Sequence, residues 1–283
     1  MSVERPWLIT GCTGLLGSEL LHQLAESRVP VWGAWHQRAP QPVGPHRYRQ
    51  LDISDRTAVL AAIHDLHPAL IIHTAYRKDG PQLQAITATG AGYIAEAAAA
   101  VDARLIHLSS DVLLDGEHAP YDENALPAPV HPYGVAKAAA EAAVQTAKPD
   151  AVLVRTSLIS RLQPPDPVSA WIERSLRSSE SITLFSDEIR CPVWVNDLAA
   201  ALIELAALPY SGVLNIAGPQ ALSRYEMGRR LAARLDLPTT TLSSGSSLDS
   251  GLSRPRNCTL DTRRAQALLR TRLRSYDEGL AKA

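Results

Sequence analysis

The chain opens on a short apolar run, WLIT at 7–10, followed by Leu15, Leu16, Leu20, Leu21 and Leu24, a spacing that gathers them on one helical face. The same alternation then repeats. Further strands are predicted at VPVWGAW (29–35), RYRQLDI (47–53), ALIIHTA (69–75) and RLIHLSS (104–110), with helices over about 55–66 and 82–101. A Pro-rich stretch, HAPYDENALPAPVHP, leads into an alanine-rich helix, HPYGVAKAAAEAAV (131–144), and a sixth strand at AVLVRTS (151–157). Short apolar runs separated by helical patterns are the mark of βαβ units, so the first half predicts an α/β fold with a doubly wound parallel sheet.

The second half is less regular. PVSAWIERSLRS and VNDLAAALIELAAL read as helices and GVLNIAG as a strand, while SRYEMGRRLAARL reads as a helix whose Ser223 and Glu226 match a capping box. The run TTTLSSGSSLDSGLS (239–253) is small and polar and predicts a loop, of the kind that covers a cleft. The pattern divides the chain into a domain over 1–155 and a smaller lobe over 156–283, with elements near 190–217 returning to the main sheet.

Composition narrows the function classes. The 283 residues carry a formal net charge of −1, which gives no overall pull toward nucleic acid or an anionic membrane. The N-terminal MSVERPWLIT has an acid and a proline before its first apolar run, unlike a signal peptide, and no apolar run approaches the roughly 18 to 20 residues of a membrane span. Cys12, Cys191 and Cys258 are odd in number and far apart, so they read as free thiols in a reducing cytoplasm. Nine scattered histidines include no paired motif, and no metal is assigned. A small-molecule ligand is the expected partner.

Two motifs carry chemistry. TGCTGLLG places Gly11, Gly14 and Gly17 between the first strand and the first helix. There Gly11 permits the tight turn, Gly14 lets backbone approach a pyrophosphate and Gly17 lets the helix pack closely, while the helix N-terminus favours negative charge. This predicts dinucleotide binding by the 1–155 domain. Thr13, Leu15 and Leu16 belong to the same turn. Trp35 at the end of the second strand, Asp52 and Ile53 after the third, and Thr74, Ala75 and Tyr76 at the fourth complete the expected cofactor contacts. The second strand ends in WHQRAP, without the acid that would hold a ribose hydroxyl, and His36 and Arg38 are placed to meet a 2′-phosphate. NADP(H) is therefore expected, with NAD(H) as the alternative. Asp55 reads as a helix cap.

The second motif joins Ser110 and Asp111, where the fifth strand ends, to Tyr133 and Lys137, four apart and so on one helical face. A cation and a helix N-terminus both favour phenolate, which makes Tyr133 a proton donor near neutrality. Lys137 can also hydrogen-bond a cofactor ribose. Ser110 would then polarise the carbonyl that accepts hydride, and Asp111 would either contact substrate or brace its loop.

In this order and spacing, Gly11, Gly14, Gly17, Ser110, Tyr133 and Lys137 resemble the extended branch of the short-chain dehydrogenase/reductase family. LSSDVLLDGEHAPYDENALPAPVHPYGVAK, NIAGPQALSRYEMGRRLA and RPRNCTLD (254–261) are similar to stretches of the dTDP-4-dehydrorhamnose reductases and of the related methionine adenosyltransferase beta subunit. The resemblance implies a Rossmann-type domain with a C-terminal substrate-binding lobe, and an NADPH-dependent reductase acting on a nucleotide-activated 4-keto sugar. A homodimer is compatible with it. Three positions depart from the family pattern: Val112 replaces a tyrosine, Leu158 a tryptophan and Thr87 an asparagine. Loss of two aromatics opens a second option, reduction of a non-sugar carbonyl. YRKDGP (76–81) resembles a basic segment of the beta subunit, and a non-catalytic, NADP-binding regulatory role is the third.

Overall fold

A computed structural model of the chain describes residues 5–282. In chain order the first part contains β1 (Trp7–Thr10), α1 (Leu15–Gln23), β2 (Val31–Trp35), β3 (Arg47–Gln50), α2 (Arg56–Leu66), β4 (Leu70–His73), α3 (Gly90–Ala100), β5 (Arg104–Leu108), α4 (Pro132–Ala147) and β6 (Val152–Arg155). The second part contains β7 (Ile159–Ser160), α5 (Pro167–Arg177), β8 (Ile182–Phe185), β9 (Ile189–Arg190), β10 (Val193–Trp194), α6 (Val195–Ala206), β11 (Gly212–Asn215), β12 (Leu222–Ser223), α7 (Arg224–Arg234), β13 (Leu242–Gly245), α8 (Arg263–Leu268) and α9 (Tyr276–Lys282). Every predicted strand of the first half is present, β1 at its predicted bounds and the others shortened at their ends. The described residues divide into two compact units: residues 5–110, 132–155 and 199–214 form one, and 111–131, 156–198 and 215–282 the other.

The first unit is built on a seven-stranded sheet of order β11-β6-β5-β4-β1-β2-β3, in which β1 to β6 pair in parallel. The switch in strand order falls between β1 and β4, the doubly wound, Rossmann-type arrangement. All four residues of β4 and of β6 are buried, so both faces of the sheet are covered. On one face Leu8, Ile71, Leu105 and Leu153 pack with Val59 and Ile63 of α2, Ile94 and Ala98 of α3, and Ala140 and Val144 of α4. The alanine content of α3 and α4 permits close approach, and a Cβ on Gly92 would meet that of Ala143 at 3.2 Å. Asp55 caps α2 by accepting from the Ala58 N–H at 3.0 Å, as its position predicts.

The helix expected over 82–101 is not uniform. It begins as a π-helical turn, Gln84–Thr89, and becomes α-helical only at Gly90. Such turns accommodate an extra residue and recur at functional sites.

The second unit packs Ile172 and Leu176 of α5, Ile182 and Leu184 of β8, Met227 and Leu231 of α7, and Trp194 against Tyr276 into a core of its own. Ser223 and Glu226 form the predicted capping box of α7. The short strands β7 to β10 and β12 and the helices α8 and α9 carry no periodicity that the sequence reading detected, and two further features differ from it. The 239–253 run is not a loop throughout: β13 pairs in parallel with β8, and Leu242 is buried. Leu242, Leu248 and Leu252 stand too far apart to give a strand period, and the pairing is supplied by a strand 60 residues away. The stretch 111–131, expected with the first half, belongs to the second unit because its backbone is claimed there, Tyr121 exchanging bonds with Thr259 and Asp261 and Asn257 donating to Gly116. No helix among the described residues is long and apolar enough to cross a membrane.

Candidate active site

The carboxyl ends of β1, β2 and β4 in the first unit border a cleft of about 580 Å³. Its floor is the turn after β1. Gly11 has φ +66, a left-handed value, and a Cβ there would meet Ala75 N at 2.8 Å. At Gly17 the constraint is contact: a Cβ would stand 2.2 Å from the Gly11 carbonyl oxygen. The third glycine therefore seats α1 against the turn itself. Gly14 is the N-cap of α1 without a side-chain cap, and no acid lies in the first turn, so backbone N–H groups and the positive helix end face the cleft.

The sequence-predicted contacts Gly11, Thr13, Gly14, Trp35, His36 and Arg38 line this cleft, as do Asp52, Ile53, Thr74, Ala75 and Tyr76. Leu15, Leu16 and Gly17 lie behind it, in the first turn of α1. Thr10, Gln37, Arg77 and Ile86 also line it and were not expected. Gln37 carries no motif beyond its place between His36 and Arg38, and Arg77 falls in the YRKDGP segment, which the sequence pointed toward a partner rather than toward this cleft. His36 Nε2 stands 3.3 Å from Asp52 Oδ2, and Asp52 also accepts from Ser54 N and Oγ. Although burial pushes upward, those two bonds and His36 leave the Asp52 carboxyl below the usual carboxylate range. Arg38 is exposed.

Tyr133 and Lys137 lie on one face of α4, in its first two turns. The Lys137 side chain is buried, with Nζ donating to the Leu108 carbonyl at 2.7 Å, where β5 ends. Burial pushes its ammonium down to about 8, only partly offset by Glu141. The same Nζ sits 5.2 Å from the centre of the Tyr76 ring, and that ring is tilted against Tyr133 with centroids 5.7 Å apart. Ser110 closes the first unit two residues after β5 and is half-buried. The structure thus joins Tyr76, a residue of the cleft wall, to both members of the α4 pair. Asp111 belongs to the second unit. There it is buried, accepts from Ser157 Oγ at 2.6 Å and stands 3.7 Å from Arg190 Nε.

Beneath Lys137 lies a buried polar row that the sequence did not reveal. Thr10, His73 and His107 are register neighbours on β1, β4 and β5. Thr10 Oγ1 accepts from the N–H groups of Thr74 and Ala75 and lies 2.6 Å from His73 Nδ1, so its own proton points to that nitrogen. His73 and His107 stack with centroids 5.2 Å apart, and neither nitrogen of His107 meets a protein partner. Burial, then the Lys137 charge, pushes the His73 imidazole down to about 3 and His107 well below the ordinary range. Both rings are neutral. The only signal was histidine at the same point of two adjacent strands.

The three cysteines are free and buried, and burial raises each thiol. They offer no nucleophile to the cleft.

Comparison with known proteins places the chain. The RmlD substrate binding domain family matches residues 5–283. The probable low-salt glycan biosynthesis reductase Agl14 of Haloferax volcanii is 28% identical over 96% of this chain and 95% of its own length. Methionine adenosyltransferase 2 subunit beta of Rattus norvegicus is 30% identical over 94% of this chain and 83% of its own. In fold, the chain is similar to the crystal structure of dTDP-4-dehydrorhamnose reductase from Bacillus anthracis in complex with NADP. That similarity has a TM-score of 0.84 at 22% identity and covers 100% and 98% of the two chains. With one family match running from the first described strand to the last residue, and a Gly-turn cleft and Tyr-Lys helix in the positions described above, the chain belongs to the RmlD substrate binding domain family.

Proposed function

We propose that the protein is an NADPH-dependent reductase of a keto group, carried in its substrate on a nucleotide-activated 4-keto sugar. The observation that carries this reading is the meeting of Tyr133 and buried Lys137 with Tyr76 of the cleft wall. The cleft fits a dinucleotide: its floor is a turn that a Cβ at Gly11 or Gly17 would fill, under a helix end without a side-chain cap. Gly11, Thr13 and Gly14 would hold the pyrophosphate, Asp52 and Ile53 would flank the adenine, and His36 and Arg38 would face a 2′-phosphate. Bound NADPH supplies the hydride.

Tyr133 gives its phenolic proton to the oxygen of the carbonyl being reduced. Lys137, held as a buried cation, favours the phenolate left behind and hydrogen-bonds the ribose. Ser110 donates to the same carbonyl oxygen and orients it. For Asp111, the bonds to Ser157 and Arg190 support the bracing role.

The test is NADPH consumption over a panel of nucleotide 4-keto sugars and simple ketones. Tyr133→Phe is expected to lower turnover by about 10²-fold or more, the scale of a lost general acid, with the melting temperature unchanged. Retained turnover refutes the proton-donor assignment. The kcat/KM for NADPH is expected to exceed that for NADH, and His36→Ala with Arg38→Ala should erase the difference; an NADH preference in the wild type overturns the cofactor choice.

A regulatory role is the second reading, supported by the likeness to the methionine adenosyltransferase beta subunit. It predicts NADPH binding without turnover on any carbonyl, and stoichiometric capture of a partner enzyme.

A further inference from the structure

Between the cleft wall and α4 stands a residue that touches neither substrate nor cofactor positions. Thr87 is 1% exposed and lies in the π-helical turn before α3. Its hydroxyl accepts from the Arg77 N–H at 2.8 Å and donates to the Arg77 carbonyl at 2.7 Å. One oxygen atom therefore satisfies both backbone groups of a single residue in the segment after β4, where no strand partner is available to them. Only a hydroxyl can do this with one atom.

Arg77 directly follows Tyr76, so fixing the Arg77 backbone fixes the exit of the Tyr76 peptide. Tyr76 has no buried anchor of its own, being 55% exposed. Its ring nevertheless carries two contacts, to Lys137 Nζ and to the Tyr133 ring. The π turn is well placed to transmit position. Its neighbour Ile86 lines the cleft, and at its end a Cβ on Gly90 would meet the Ile53 carbonyl oxygen at 2.9 Å. An extra residue in the turn lets Thr87 reach Arg77 while Ile86 and Gly90 keep their contacts.

We propose that Thr87 is a positioning residue: by holding Arg77 it places the Tyr76 ring, and that ring holds Lys137 and Tyr133 in the arrangement that receives the cofactor. The inference rests on the reading of Tyr133 and Lys137 given above. The groups that face Lys137 are Tyr76, Tyr133, His73, His107 and Glu141. Of these only Tyr76 stands on a segment without regular structure, so the ammonium's cover on that side depends on Thr87. When the segment loosens, water reaches Nζ and the desolvation that depresses Lys137 is relieved.

The test compares Thr87→Val, isosteric but without either bond, with Thr87→Ser, which keeps the hydroxyl. NADPH affinity is read by fluorescence quenching. Lys137 titration is read from the 13Cε shifts of the chain's four lysines, assigned with Lys137→Met. Thr87→Val is expected to weaken NADPH binding about tenfold and to move the Lys137 titration upward by about one pH unit, and Thr87→Ser to restore both. A Thr87→Val protein that binds NADPH within twofold of wild type, or whose Lys137 titrates at or below the wild-type position, overturns the proposal. Should Thr87→Val not fold, Thr87→Ala, which also lacks both bonds, is read against the same Thr87→Ser control, with the same results expected and the same results overturning the proposal. Failure of the underlying reading looks different: Lys137→Met would then bind NADPH as tightly as wild type.

Discussion

Lys137 and its two imidazole neighbours form one electrostatic group in the first unit. A buried ammonium next to neutral rings is stable only while the rings stay neutral, which sets a pH dependence. In the unfolded chain a histidine takes up its proton near pH 6.5, whereas folded His73 does so only near 3. Between these values the unfolded state binds more protons, so stability is complete above about pH 6.5 and is lost as pH falls. His73 alone is expected to cost about 2 kcal/mol by pH 5. Urea midpoints measured at pH 7.5 and pH 5 should fall more steeply for wild type than for His73→Asn; equal slopes would remove His73 from the account. Histidine, threonine and lysine were each visible in the sequence, but their meeting was not, because it depends on the lateral order of β1, β4 and β5.

At the scale of elements, the turn from β1 into α1 and the helix α4 are legible in the sequence. Both encode their job locally: glycine spacing in one, a Tyr-Lys step of four in the other. Gly17→Ala tests the first, since its Cβ would fall 2.2 Å from a backbone oxygen that cannot move without opening the turn. The expected cost is about 2 to 3 kcal/mol, seen as a melting temperature lower by several degrees, together with loss of NADPH binding. Unchanged stability would show that α1 can shift freely on the sheet. The elements that escaped were the short strands β7 to β10, β12 and β13, the helices α8 and α9, and the π turn, whose hydrophobic spacing is indistinguishable from that of an α-helix over six residues.

For the whole molecule, the two units have separate hydrophobic cores, and each is expected to have a stability of its own. The second is organised around Arg190, 1% exposed, which lies 3.3 Å from Glu188 and 3.7 Å from Asp111 and donates to the carbonyls of Ile189, Pro255 and Arg256. Burial alone would push Glu188 up, yet Arg224, Arg190 and Arg254 hold it below the usual carboxylate range. Arg190→Met leaves two buried carboxylates short of a counter-charge, for an expected loss of about 3 to 5 kcal/mol. Hydrogen exchange should then accelerate through β8, α7 and β13 and leave β1, β4 and β5 protected; uniform acceleration would mean that the two units unfold together.

The order of strands and helices in the first half, the glycine turn, the caps at Asp55 and Ser223 and the Tyr133-Lys137 face could all be read from the chain, because each is written in residues within a few positions of one another. The passage of 111–131 into the second unit, the stack of His73 on His107, the grip of Thr87 on Arg77 and the charge cluster at Arg190 came only with the fold. Periodicity states which side of an element is buried. Which polar group a buried side chain meets there is settled by strand order, register and the crossing of segments 10 to 141 residues apart, and those follow from packing the whole chain at once.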